Sequence, residues 1–304
     1  IKIAQVIDEK DLRQELDSVQ GLKPTPDELE FLSGLKNNRL PLFSNDYLRF
    51  LESVQLPDYQ LEVKEGNFKI EFQGKWSEAI YWETFALSIV NELYYRKLTK
   101  DFSPEELKRL YQTGEERLKR KIEVLKQYPD IRYLEFGTRR RFSRNWQDYL
   151  VGRLREETPT KLIGTSNVYL AKKHNLKPQG TMAHELFMVM SGIMHGSDDG
   201  IRASHNQVLS EWWDEYGYDL SVALTDTYGS DFFFRDMNRE QAEKYKGMRQ
   251  DSGKPKLFGN KQIEFYEKKG IDPRQKLFVP SDGLTLETIT DIQRDFEGRI
   301  IPAY

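Results

Sequence analysis

Gly180-Thr181-Met182-Ala183-His184-Glu185 places one of only four histidines directly after a glycine-bearing turn. The apolar residues that follow, Leu186, Phe187, Val189 and Met190, read as one side of a helix, so His184 is expected at a helix N-terminus. Unpaired backbone N–H groups at such an end favour a bound phosphate or a phosphorylated side chain. An ordinary histidine packed at a helix start is the commoner case. The company this one keeps is what weighs against it.

Comparable clusters recur at the ends of short apolar segments. Segment 133–136 runs into Gly137-Thr138-Arg139-Arg140-Arg141, and segment 161–163 into Gly164-Thr165-Ser166-Asn167. Further on, segment 222–224 runs into Thr225-Asp226-Thr227-Tyr228, and 245–248 into Arg249-Gln250-Asp251-Ser252-Gly253. Segment 277–279 runs into Ser281-Asp282-Gly283. Gly137, Thr138, Ser166, Asn167 and Thr181 supply N–H and hydroxyl donors suited to phosphate oxygens. Ser252 and Ser281 are hydroxyl contacts of the same kind. Arg139 and its two neighbours, with Arg249, supply forked donors that match carboxylate or phosphate bidentately. Asp226, Asp251 and Asp282 are suited to ribose hydroxyls or to a magnesium ion bridging phosphates. Together these residue types point to an anionic, phosphorylated sugar substrate.

Each signal has a plainer reading. An arginine run is usually a solvated loop face, and Gly-Thr after a strand is mostly turn chemistry. Asp226 could cap the helix that follows it, and Asp282-Gly283 is equally an ordinary turn. His195 and His205 lie in a Gly/Ser/Asp-rich connection without zinc spacing. His174 reads as a favourable charge at a helix C-terminus.

The elements that must position these clusters repeat as strand-like segment, small or polar turn, helix. That succession predicts an α/β class with an irregular α/β barrel, its site at the strand C-terminal ends. Residues 130–304 are expected to form the barrel catalytic domain, 76–129 a helical connector, and 1–75 an N-terminal mixed α+β domain. In the latter, Thr25-Pro26 opens a helix over 26–35, and Gly66-Asn67 centres a hairpin. Residues 75–96 read as one apolar helix. Ser103-Pro104-Glu105-Glu106 is a capping box opening an amphipathic helix. Ile300-Ile301 reads as the start of a strand. Both ends of the natural protein are expected to lie outside these 304 residues, leaving the barrel incomplete at its C-terminal side.

Composition narrows the classes. The chain has 46 basic and 49 acidic residues, a formal charge of −3, which offers no global attraction to nucleic acid or anionic membrane. No apolar run approaches the ~20 residues of a spanning helix. With no cysteines, disulfides, thiolate metal sites and cysteine nucleophiles are excluded. This fits a cytoplasmic protein.

Taken together, Glu135-Phe-Gly-Thr-Arg-Arg-Arg141, Gly164-Thr-Ser-Asn167, Gly180-Thr-Met-Ala-His-Glu185, Leu224-Thr-Asp-Thr-Tyr228 and Arg249-Gln-Asp-Ser-Gly253 resemble the nicotinate phosphoribosyltransferases. The resemblance implies transfer of a phosphoribosyl group from phosphoribosyl pyrophosphate to nicotinate, giving nicotinate mononucleotide and pyrophosphate. It further implies coupling to ATP hydrolysis through transient phosphorylation of His184, with Mg2+ as cofactor and no assigned protein ligands for the metal. Thr181 and Arg249 are the implied nicotinate contacts, and Asp251, with His184, the implied catalytic pair. Arg139 is the arginine of its run expected to face phosphate or nicotinate. Small-molecule substrates, a homodimer and pyridine-nucleotide biosynthesis belong to the same implication. The resemblance also implies an N-terminal segment with a site tyrosine and a later Gly-Thr phosphate loop, neither within these residues. Lys254 stands where the family usually has an acidic residue. Alternatives are a phosphoribosyltransferase for nicotinamide or quinolinate, a non-catalytic relative binding nucleotide or a partner, and an unrelated barrel lyase or glycosidase.

Overall fold

The computed structural model describes residues 2–37 and 40–304. By internal packing the chain forms two compact units. The first comprises Ile1–Ile122, Glu135–Pro159 and Gly164–Pro178, and the second Glu123–Leu134, Thr160–Ile163 and Gln179–Tyr304.

The first unit carries the mixed α+β portion. Thr25 caps the helix Pro26–Ser33 reciprocally with Glu28, and proline occupies its first turn, where a missing N–H costs nothing. The strands Tyr59–Lys64 and Asn67–Phe72 pair antiparallel. Their turn is Glu65-Gly66 rather than the expected Gly66-Asn67, because Asn67 pairs with Lys64 and both turn residues take positive φ. The expected helix over 75–96 is split into Trp76–Ala79 and Trp82–Leu98. Trp82 is the anchor of this unit: fully buried, stacked on Phe72 at 4.7 Å, its indole N–H donating to the Pro57 carbonyl at 2.9 Å. Around it pack Ile7, Leu12, Leu16, Leu61, Ile89 and Leu93. The capping box at Ser103 opens the 24-residue helix Pro104–Gln127, with Ser103 and Glu106 exchanging both bonds.

The second unit contains a wholly parallel sheet in the order Ile301–Pro302, Leu277–Pro280, Gly247–Gln250, Val222–Leu224. Backbone bonds carry the succession onward, Tyr304 to Arg132 and Leu134 to Tyr304. Helices Ser230–Asp236, Arg239–Lys244, Pro255–Lys268 and Leu286–Phe296 intervene between successive strands, the α/β arrangement expected of a barrel wall. Three of the four strands are short apolar runs, as a parallel sheet covered by helices buries both faces, and Gly247–Gln250 departs from this in ending on Arg249 and Gln250. Met248, Phe278, Phe258, Phe296 and Tyr266 fill the space between sheet and helices. Each fully buried side chain of this size contributes roughly 1.5–3 kcal/mol. Gly247 and Gly259 make this packing possible. A Cβ on Gly259 would lie 2.5 Å from Phe296 and 2.9 Å from Phe278, and one on Gly247 would collide with the Leu277 carbonyl.

His205, expected in a loop, lies on the helix Asp198–Tyr216, where Ser197 provides the cap. It is buried, stacked on Phe187, and bonds Asp236 at 2.6 Å. The helix forms there because Ser197 satisfies an early N–H while the following turns bury Val208 and Leu209. Among the described residues no helix is long and apolar enough to cross a membrane.

Candidate functional site

The register of the parallel sheet aligns Leu224, Arg249 and Val279 across three strands. The turns leaving those strands therefore emerge side by side, bringing Asp226, Asp251 and Ser281 together at the C-terminal edge. Thr225 ties two of them, its hydroxyl donating to the Arg249 carbonyl at 3.0 Å.

Arg249 commits four of its five N–H donors. Nε donates to Ser281 Oγ at 2.9 Å, Nη1 to Thr181 Oγ1 at 2.9 Å and to the Met182 carbonyl at 3.2 Å, and Nη2 to Asp251 Oδ1 at 2.8 Å. The arginine thus pins the otherwise irregular stretch 179–183 against the sheet edge. Burial would raise the Asp251 carboxyl, but the Ser281 hydroxyl at 2.6 Å, Arg249 and His184 outweigh it and hold the group below the usual carboxylate range.

His184 opens the helix His184–Ile193, with Ala183 as a cap lacking any side-chain bond. Its Nδ1 lies 3.0 Å from Thr227 Oγ1 and its Nε2 3.2 Å from Asp251 Oδ2. A second carboxylate oxygen, Asp226 Oδ1, is 4.0 Å from Nε2. An ionised carboxylate only accepts, so the consistent neutral tautomer carries its proton on Nε2 and receives the Thr227 hydroxyl at Nδ1.

Asp226 does not cap a helix: Gly229 occupies the cap of Ser230–Asp236. Its carboxylate is turned instead toward the neighbouring strand end, where Ser252 donates to Oδ2. The other oxygen, Oδ1, is buried and has no hydrogen-bond partner among the described residues. An unpaired buried acceptor costs about 1–3 kcal/mol, so this oxygen is suited to a cation or a ligand donor. Asp282 is exposed and has no side-chain partner among the described residues; it does not join the cluster.

A separate polar network occupies the first unit. Glu135 Oε1 accepts from the Gly137 N–H at 2.7 Å and from Gln147 Nε2 at 3.0 Å, while Oε2 accepts the Thr165 hydroxyl at 2.6 Å. Thr138 Oγ1 accepts from Gln147 Nε2 at 2.8 Å and Asn167 Nδ2 at 3.0 Å. A Cβ on Gly137 would sit 2.7 Å from Glu135 Oε1, so a larger residue there would push the carboxylate out of this arrangement. Asn167 caps the helix Val168–Lys173, and the Ser166 N–H donates to the Glu135 carbonyl.

In the arginine run, Arg139 pairs with Glu83 and Arg141 with Glu92 at 3.1 Å, both acids lying on the helix Trp82–Leu98. Asn91 of that helix donates to the Arg139 carbonyl at 2.9 Å. Arg140 is the exposed member, and its side chain has no partner among the described residues. Sequence reading overlooked Thr227, although it lies within the Thr-Asp-Thr-Tyr cluster, and overlooked Glu135 at the head of its own. Gln147, inside the helix Arg144–Glu157, carries no signal in sequence.

Residues 131–303 match the nicotinate phosphoribosyltransferase family, and residues 4–91 match that family's N-terminal domain. The chain is similar to the crystal structure of nicotinate phosphoribosyltransferase from Porphyromonas gingivalis, with 30% identity and a TM-score of 0.85 over 99% of this chain and 72% of that one. It is similar to the enzyme of the same name from Vibrio cholerae, with 30% identity and a TM-score of 0.84 over 97% of this chain and 68% of that one. A polar strand-end cluster on a parallel sheet, both matched domains and these two neighbours lead to one conclusion: the chain belongs to the nicotinate phosphoribosyltransferase family.

Proposed function

We propose that this chain transfers a phosphoribosyl group from phosphoribosyl pyrophosphate to the ring nitrogen of nicotinate, forming nicotinate mononucleotide and releasing pyrophosphate. The reading includes coupling to ATP hydrolysis through a phosphate carried transiently on His184. The observation that supports it best is His184 itself, at a helix N-terminus with partners on both ring nitrogens and two carboxylates beside Nε2.

In this reading Asp251 accepts the Nε2 proton's hydrogen bond, leaving the lone pair on Nδ1. The Thr227 hydroxyl yields that lone pair, Nδ1 attacks the γ-phosphorus of ATP, and the P–O bond to ADP breaks with the electron pair leaving on ADP. The resulting imidazolium keeps its Nε2 proton against Asp251, and the helix N-terminus stabilises the added negative charge. Water later takes the phosphoryl group and releases phosphate.

In the transfer step the pyridine nitrogen of nicotinate is already nucleophilic, so no strong general base is needed. As the bond from ribose to pyrophosphate breaks, catalysis rests on positioning and on charge complementarity. Arg249 is placed by Thr181, Met182, Ser281 and Asp251 to meet the nicotinate carboxylate. The unpartnered Asp226 Oδ1 fits Mg2+, because one or two carboxylates plus substrate phosphates are its usual set, and the ion would neutralise charge on the departing pyrophosphate. Among the described residues there is no cluster of three or more ligands that would cage a metal by protein alone.

A homodimer belongs to the same reading; sedimentation tests it, with Met188 and Ile193, 58% and 70% exposed, as the apolar groups to watch. The central experiment incubates the protein with γ-labelled ATP. Acid-labile label on the wild type and none on His184→Asn is expected, and an unlabelled wild type would sink the phosphohistidine route. Parallel assays with nicotinate, nicotinamide and quinolinate test the acceptor.

A further inference from the structure

The network around Glu135 has a hydrogen-bond direction that can be assigned from its two ends. At one end the Glu135 carboxylate, which only accepts, faces Gln147, so the Gln147 NH2 group must point toward it. The same nitrogen's second proton then goes to Thr138 Oγ1 at 2.8 Å. At the other end the Leu170 N–H donates to Asn167 Oδ1 at 3.0 Å, so the Asn167 NH2 group is the part facing Thr138 Oγ1. Thr138 Oγ1 therefore accepts twice, and both of its lone pairs are used. Its own proton has no acceptor among the described residues, although the residue is only half-buried.

Gln147 shows how firmly this direction is held. The residue is 4% exposed, yet its Oε1 is buried without a hydrogen-bond partner among the described residues. Turning the amide over would not serve it, since that would set Oε1 against the Glu135 carboxylate.

We propose that Thr138 is a fixed donor to an anionic oxygen of a substrate, and that Glu135, Gln147 and Asn167 are positioning residues that force its proton outward. The acceptor is a carboxylate or phosphate oxygen, and a group presenting only N–H at that point is rejected, because Thr138 has no lone pair left to receive it. The inference rests on the transferase reading, and it adds a direction of hydrogen bonding and three residues that touch no substrate.

The test measures KM and kcat, and binding by calorimetry, for nicotinate and for phosphoribosyl pyrophosphate in the full chain. Thr138→Val keeps the shape and removes the proton. It is expected to raise KM and Kd for one of the two about ten- to a hundredfold with kcat little changed, while Thr138→Ser stays near wild type. A change confined to nicotinate assigns the carboxylate, and one confined to phosphoribosyl pyrophosphate assigns a phosphate. Gln147→Leu is expected to reproduce the KM effect, and Thr138→Val with Gln147→Leu to be no worse than Thr138→Val alone. Should Gln147→Leu fail to fold, the Thr138→Val and Thr138→Ser pair decides. Unchanged affinity for both substrates in Thr138→Val, or a double variant whose losses add, overturns the proposal. A wild type that binds both substrates without turnover sinks the transferase reading instead, and the calorimetric arms still judge the hydrogen bond.

Discussion

Arg249 Nη2 and Asp251 Oδ1 face each other at 2.8 Å across the end of one strand. They meet because side chains alternate along extended backbone, which turns the intervening Gln250 to the other side. There the Gln250 amide donates to the Ser252 and Gly253 carbonyls and holds the turn that aims Asp251. The ion pair and the His184 contact are thus consequences of a single strand ending.

Asp251→Asn tests that arrangement through stability. The folded carboxyl lies below its ordinary value, so its contribution is complete above the unfolded pKa of about 3.9 and disappears as pH falls through the folded value. Urea unfolding at pH 7 should show the variant less stable by about 1–3 kcal/mol. The gap to wild type should close as the pH is lowered below about 4. A pH-independent gap would show that the charge is not what Asp251 contributes.

If Asp251 fixes the Nε2 proton, the phosphate on His184 resides on Nδ1. Phosphorus NMR of the labelled protein, or antibodies that separate the two phosphohistidine isomers, should find that isomer alone. Exclusive Nε2 label would reverse the assignment. Thr227→Val, which removes the hydroxyl at Nδ1, should alter the rate of labelling while leaving its position unchanged.

Arg249→Lys should not restore Arg249→Ala. A lysine offers one point of charge where the guanidinium reaches four partners on Thr181, Met182, Ser281 and Asp251. Both variants are expected to raise KM for nicotinate by about tenfold or more. Near-wild-type KM in the lysine variant would mean that charge alone suffices.

His205 sets a second pH dependence away from the reaction. Burial among Phe187, Phe232 and Phe233 lowers its pKa, with Asp236 opposing. The folded state therefore binds fewer protons than the unfolded one, so stability should fall as pH drops below about 6.5. His205→Gln should be less stable at pH 8 by about 2 kcal/mol and show a flatter slope between pH 7 and 5. Thermal unfolding across that range reads both.

Gly259→Ala should destabilise by about 1–3 kcal/mol, since its methyl meets the rings of Phe296 and Phe278, which can shift only by disturbing the core. Gly247→Ala should cost more, because the obstacle is the backbone of the neighbouring strand. Urea midpoints rank the two, and equal midpoints would contradict this difference.

Local rules were enough for much of this chain. Thr25-Pro26 and Ser103-Pro104 declared their helices, because caps and first-turn prolines act within a few residues. The helix start at His184 and the strands ending at Leu224, Gln250 and Pro280 were legible within a residue or two, since apolar runs followed by small polar turns are read locally. What pairs with what was not. Thr227 on His184, Glu83 on Arg139, Asp236 on His205 and Gln147 between Glu135 and Thr138 are partners separated in sequence and brought together by packing. Sequence alone determined which residues could accept phosphate, donate to it or carry charge. The tertiary structure decided which of those groups already hold one another, and so left the buried oxygen of Asp226 and the proton of Thr138 for a ligand. The physical reason is that a hydrogen bond depends on distance and direction in space, and neither follows from position along the chain.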